Sequence, residues 1–234
     1  MKYLIQYRLF ESTGDIESIC KEYGIENWTI NEDESIDVDG DVDLSHRGLD
    51  KLPIKFRNVT GNFYCYHNKL TSLEGSPKWI GDYFYCQNNN LTSLEGGPKS
   101  VGHGFDCSYN NLTSLEGGPK SVGGGFDCSY NNLTSLEGGP KSVGHGFDCS
   151  NNKLISLEGS PEWIGGDFYC QYNPVEQIWN LFRDKDKIEL FNDMDIIQGD
   201  SIVLNRLIYF LDQIGKPKSE EELRSLIKNY RFII

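Results

Sequence analysis

Positive charge is scarce in this chain. Lys and Arg number 22 against 35 Asp and Glu over 234 residues, a net charge of −13 with His neutral. The basic clusters that grip a nucleic-acid backbone are therefore missing, which argues against that class of partner. Histidine occurs four times, as His46, His67, His103 and His145 at two repeat positions, and accompanies no recurring nucleophile. Phosphate-binding loops and G-x-S-x-G elbows are absent. No apolar run is long enough to span a bilayer, and the start, Met1 to Arg8, is too short and too soon charged for a signal peptide. These absences lead us to expect a non-enzymatic, cofactor-free protein of the cytoplasm that does not enter membranes.

Against this background one residue type recurs with regularity. Cys65, Cys86, Cys107, Cys128, Cys149 and Cys170 are spaced by 21 residues, each in the same local phrase. The stretches Cys107–Asp127 and Cys128–Asp148 differ only at Gly124 against His145. A period of this size marks a solenoid, whose units bury their apolar face only by stacking on neighbours. Val38, Val42, Leu44, Leu49 and Leu52 form a degenerate first unit. Cys170, Asn173, Val175 and Ile178 open a last one, giving seven coils.

The unit Phe-x-Cys-x-x-Asn-x-Leu-x-x-Leu matches the leucine-rich repeat signature, with Phe and Cys in the two strand leucine positions. Over residues 38–178 the chain resembles the short leucine-rich repeats of bacterial effectors. Its Leu-Thr-Ser-Leu-Glu-Gly-Gly-Pro-Lys-Ser-Val-Gly phrase is similar to repeat proteins of bacteriophages and giant viruses. The resemblance implies a fold and says little of function; a viral source would place the protein in the host cytoplasm. Effectors that join such repeats to a ubiquitin-ligase domain need a catalytic cysteine in a longer tail, and no cysteine follows Cys170.

The architecture expected is an α/β repeat solenoid, a leucine-rich-repeat-like coil with a parallel sheet on the concave face and little helix on the convex face. Residues 1–37 form an N-terminal α/β cap, 38–178 the solenoid and 179–234 a C-terminal helical cap. Phe105 and Cys107, two apart, share the inner side of a short strand, while Asp106 and Ser108 face out. Asn68, Asn89, Asn110, Asn131, Asn152 and Asn173 stand at the bend after the strand, where an amide satisfies backbone groups left unpaired. Gly117, Gly118 and Pro119 carry an outer arc that is extended or a single 3₁₀ turn.

Parallel thiols in a row do not converge on a tetrahedral metal, and seven cysteines, counting Cys20, is an odd number for disulfides. They are expected to be small buried hydrophobes. Glu74, Glu95, Glu116, Glu137 and Glu158 and Lys78, Lys99, Lys120 and Lys141 make opposite-charge rows on the outer arc, worth little per pair. Asp37 to Asp43 looks like a calcium loop but lacks its closing Glu, and its Val/Asp alternation suits a strand.

In the N-terminal cap a strand-forming segment Tyr3–Phe10 precedes a helix near Ile16–Tyr23, with Thr13 or Asp15 as N-cap and Gly24 as its stop. Trp28–Ile30 and Ser35–Val38 pair across Asn31–Glu34. Four helices are expected beyond the repeats, at Val175–Phe182, Lys187–Asn192, Ile202–Gln213 behind Asp200 or Ser201, and Glu220–Tyr230 behind Ser219.

The free sheet face is patterned. The residue before each strand cysteine, or before Leu44, runs Asp43, Tyr64, Tyr85, Asp106, Asp127, Asp148, Tyr169. With Tyr66, Tyr109 and Tyr130 added, the candidate partner-binding set is Tyr64, Tyr66, Tyr85, Asp106, Tyr109, Asp127, Tyr130, Asp148 and Tyr169. Tyr supplies contact area with a polar tip and the carboxylates a negative potential, so the expected partner is a protein bearing Lys or Arg. Two other roles stay open at this point, a structural or decoration component of a viral particle and an acidic decoy of a nucleic-acid-binding protein. The Asp stripe is equally well a by-product of coil duplication.

Overall fold

The computed structural model describes residues 14–234; the segment Tyr3–Phe10 and the cap residue Thr13 lie outside them. A helix over 14–23 ends at Gly24, where φ of +68° lets Ile25 N donate to Cys20 O at 2.8 Å and close the last turn. Asp15 is inside this helix rather than its cap. Trp28–Ile30 and Ile36–Val38 then pair antiparallel across the acidic turn.

From Ile36 onward the chain winds as a parallel β-solenoid. Among the described residues the strands form an 8-stranded sheet, a 7-stranded sheet and a small 3-stranded one. The first sheet stacks Ile36–Val38, Phe56–Val59, Trp79–Ile80, Ser100–Val101, Ser121–Val122, Ser142–Val143 and Trp163–Ile164, with Trp28–Ile30 on its edge. The second stacks Val42–Asp43, Phe63–Tyr64, Phe84–Tyr85, Phe105–Asp106, Phe126–Asp127, Phe147–Asp148 and Phe168–Tyr169. Seven strand positions in each sheet enclose about six complete turns. Register between repeat neighbours holds at 21 residues, as in Phe126↔Phe147 and Asp127↔Asp148.

One sheet was expected and two are present. The glycines between the paired strands make the difference: a Cβ on Gly123 would lie 1.9 Å from Gly102 O of the coil before, so only glycine lets the corner stack and a second strand begin. On the outer arc Gly117 has φ of +88° and its Cβ position is 2.4 Å from Glu95 N. That arc is turn and irregular structure without helix. Its charge rows do not pair with each other as expected. Lys78 and Lys99 donate instead to Gly96 O and Gly117 O of the next coil at 2.8 and 2.9 Å, and Lys141 meets Glu162 at 3.2 Å.

The core is a set of columns. Phe63, Phe84, Phe105, Phe126, Phe147 and Phe168 stack with ring centroids 5.1–5.7 Å apart. Beside them the six repeat cysteines are fully buried and unbridged. Burial pushes these thiols up, Cys170 to about 12. The asparagine column connects coils rather than filling space. Asn131 Nδ2 donates to Cys107 O and Cys128 O, both at 3.1 Å, and its Oδ1 accepts from Leu112 N at 2.9 Å. Asn68, Asn89, Asn110, Asn152 and Asn173 repeat these contacts with their own neighbours.

Beyond Asn173 the array gives way to helices Glu176–Phe182, Ile188–Asp193, Leu204–Gln213 and Glu220–Leu226. Trp179 seats edge-on against Phe168 at 5.0 Å and closes the phenylalanine column. Two expected helices are shorter than their apolar spacing suggested. Ser201–Val203, β-branched at Ile202 and Val203, is a strand between Ile197–Gln198 and Arg231–Ile233. Asp200 consequently caps no helix and pairs with Arg231 at 2.7 Å. Ser219 caps its helix through a reciprocal bond with Glu222, but the helix stops at Leu226, because Tyr230 is drawn down to donate its hydroxyl to Ile155 O at 2.7 Å.

Two outcomes follow from the stacking. Deleting Ser108 to Cys128 joins Cys107 to Ser129 in register, so the shortened chain should unfold cooperatively with a melting temperature only a few degrees lower, while deleting one further residue should abolish the transition seen by circular dichroism. Asn131→Ala orphans the buried Leu112 N–H and should cost about 3 kcal/mol in denaturant unfolding.

Candidate functional site

The outward face of the second sheet carries the candidate residues, and three coils differ there from those around them. Three positions before the cysteine the small residues Gly104, Gly125 and Gly146 stand where neighbouring coils carry Tyr83 and Asp167. One position before it stand Asp106, Asp127 and Asp148, and one after it Ser108, Ser129 and Ser150. Removing bulk from three adjacent strands leaves a groove of about 290 Å³, bounded by Tyr83 and Tyr85 at one end and Tyr169 at the other. The rings of Tyr83 and Tyr85 stack at 5.6 Å, and the Tyr83 ring lies over Gly104, 2.7 Å from where a Cβ would be. Gly125 and Gly146 are open, with nothing nearer than 3.4 Å to their Cβ positions.

Each aspartate also holds its own bend. Ser108 donates to Asp106 Oδ1 from N at 2.9 Å and from Oγ at 2.6 Å, and Ser129 N and Ser150 N donate to Asp127 and Asp148 at 2.8 Å. The same bond joins Ser45 to Asp43. Aspartate and serine thus occur together at this spacing, whereas the tyrosine coils carry Tyr66, Gln87 and Gln171 after the cysteine. The Asp-x-Ser pairing was visible in the sequence. So were the three glycines, whose meaning depends on which face of which strand they occupy.

The groove is electrostatically loaded. Its lining contains no Lys or Arg. Burial, opposed by the Ser129 bonds and reinforced by Asp106 and Asp148, pushes the Asp127 carboxyl up to about 6. Burial raises Asp106 too, again against its bonds to Ser108.

The candidate tyrosines separate into groups. Tyr85 and Tyr169 wall the groove, the latter donating its hydroxyl to Asp167 Oδ2 at 3.0 Å. Tyr64 stacks on Tyr85 at 5.4 Å and meets Tyr66 edge-on at 6.2 Å, leading to a cluster in which His46 and His67 stack at 4.6 Å. Tyr109 and Tyr130 stack at 4.2 Å on the exit bend, both with φ above +50°, outside the groove. The Asp37–Asp43 run has its carboxylates engaged within the fold, Asp37 on Arg57, Asp39 on Thr60 and Asp41 on Asn62. Among the described residues no group of three or more His, Cys, Asp or Glu is arranged to hold a metal ion, and no helix is long and apolar enough to cross a membrane.

Comparison with protein-family models, with curated proteins and with solved structures finds no match to this chain.

The Asp127 environment has a signed consequence for stability. Below its ordinary value near 3.8 the carboxyl is neutral whether folded or unfolded, and as pH rises through about 6 the folded chain must carry a desolvated charge. Asp127→Asn keeps the acceptor for Ser129 N and removes that charge. It should leave stability unchanged at pH 3.5 and raise it by about 1–2 kcal/mol at pH 7.5, measured by urea unfolding at both pH values.

Proposed function

We propose that this chain is a non-enzymatic interaction scaffold whose outward second-sheet face binds a protein segment bearing Lys or Arg. The observation that carries the reading is the groove itself, three carboxylates in register over glycine, closed at both ends by tyrosine. Neighbouring parallel strands are about 4.8 Å apart, so the carboxylates form a ladder that favours one cation after another. Their own serines and the stacked coils fix them before any partner arrives, so little conformational entropy is lost on binding. Tyrosine walls offer cations a π face beside the carboxylates.

The same reading takes the 21-residue unit as a leucine-rich repeat of the short bacterial or viral kind. Buried leucine columns and the asparagine that bonds the coil before it support this.

Affinity capture from host lysate, followed by titration of each captured protein against purified variants, tests the reading. Gly125→Leu fills the groove without backbone strain, and Asp106→Asn, Asp127→Asn and Asp148→Asn together discharge it. Both should weaken the specific partner by at least about tenfold, as expected when a desolvated contact at the centre of an interface is lost. A partner held equally well by wild type and both variants would place the binding surface elsewhere.

A further inference from the structure

The two sheets end differently at the last coil. Within the second sheet each coil points backbone N–H groups forward: Phe147 N donates to Asp167 O, Cys149 N to Tyr169 O and Asn151 N to Gln171 O, all at 2.9 Å. At the corner after the first-sheet strands carbonyls point forward instead, Val143 O accepting from Gly165 N and His145 O from Gly166 N, also at 2.9 Å. Those carbonyls are satisfied at the end of the array. The Lys185 ammonium donates to both Ile164 O and Gly166 O, standing in for the N–H groups of a further coil. Of the forward donors, Tyr172 N is met by Glu176 Oε2 at 2.8 Å.

Two donors are left over. The N–H groups of Phe168 and Cys170 have no partner among the described residues, although Phe168 is 7% exposed and Cys170 0%. Buried backbone donors are almost always paired. Beside them lies a slot of about 440 Å³, lined on one side by Phe168, Tyr169 and Gln171 and on the other by Trp179, Asn180 and Arg183.

We infer that this edge is a second interaction surface, separate from the groove, which takes an extended segment of a basic protein as one further parallel strand. The register of the array defines the pairing. The residue placed beside Tyr169 donates its N–H to Phe168 O and accepts from Cys170 N, and the carbonyl two residues earlier accepts from Phe168 N. Inward side chains of the added strand are small, because Trp179 already covers the core at Phe168. Outward side chains are Lys or Arg, because Asp167 is their neighbour on that face, Asp167, Asp184 and Asp186 outnumber Arg183 and Lys185 in the slot's lining, and the chain as a whole carries −13.

The probe is acetyl-Lys-Ala-Lys-Ala-Lys-amide, titrated into the ¹⁵N-labelled full-length chain, with hydrogen exchange read at each amide. At saturation the Phe168 and Cys170 amides should exchange about tenfold more slowly. The same peptide N-methylated at its central lysine keeps the charge, loses the donated bond and should give no protection. Asn180→Trp, which fills the slot from an exposed position, should abolish the effect. Unchanged exchange at Phe168 and Cys170, or equal protection by the methylated peptide, overturns the inference. Shifts confined to Asp106, Asp127 and Asp148 would also overturn it while leaving the groove reading intact, so the two fail separately.

Discussion

The fold depends on one side-chain amide used repeatedly. Each asparagine of the column donates to the cysteine carbonyl of its own coil and to the matching carbonyl of the coil before, a cysteine's in every case but Asn68, which takes Leu44 O, and accepts from a leucine N–H of that earlier coil. The bend after the second-sheet strand puts a residue at positive φ, His46, His67, Asn88, Tyr109, Tyr130, Asn151 or Tyr172 in turn, and turns backbone groups toward the core. Without the amide those groups would be buried unpaired, at about 1–3 kcal/mol each. With it the coils lock at a common height, and the phenylalanine, cysteine and leucine columns are brought into contact with their own copies.

Equal stacking converts small differences between coils into surface relief. Trp79 and Tyr85 stand in one coil, Trp163 and Tyr169 in another, and the three coils between them carry serine on the first sheet and Gly, Asp and Ser on the second. Insertion of near-identical coils between two aromatic ones therefore produces a groove with closed ends, whose length is set by the number of copies. The aspartates serve both the copy and the groove. They hold the bend through the serine two residues on, and desolvation in the groove makes Asp106 and Asp127 costly to ionise, which is the condition under which a cation from outside is most welcome.

A stack of parallel coils has chemically unlike ends. Carbonyls left over at the first-sheet corner are met by Lys185, and one leftover N–H of the second sheet by Glu176, each a charge placed against a backbone dipole. The aromatic cluster of Trp179, Phe182, Phe191 and Phe210 seals the core behind them. The cap is thus as much an electrostatic termination as an apolar lid, and where it stops short the edge keeps its capacity to pair.

The repeat period, the inward columns, the asparagine ladder and the acidic stripe flanked by tyrosine were all legible in the sequence. Each is a residue stacked on its own copy, so a comparison of the chain with itself at 21 residues displays the contact directly. Relations between different positions were hidden. The division of one expected sheet into two rests on glycine corners that pack against a neighbour's carbonyl, and the groove rests on glycines and aspartates from separate columns sharing one face. In the non-repeating cap, Ile202 and Val203 read locally as the start of a helix and became strand because Ser201–Val203 meets Arg231–Ile233 across nearly thirty residues of chain. Sequence alone determined what repeats. Only the tertiary structure decided what lies beside what, because that depends on backbone hydrogen bonds formed after the chain has closed on itself.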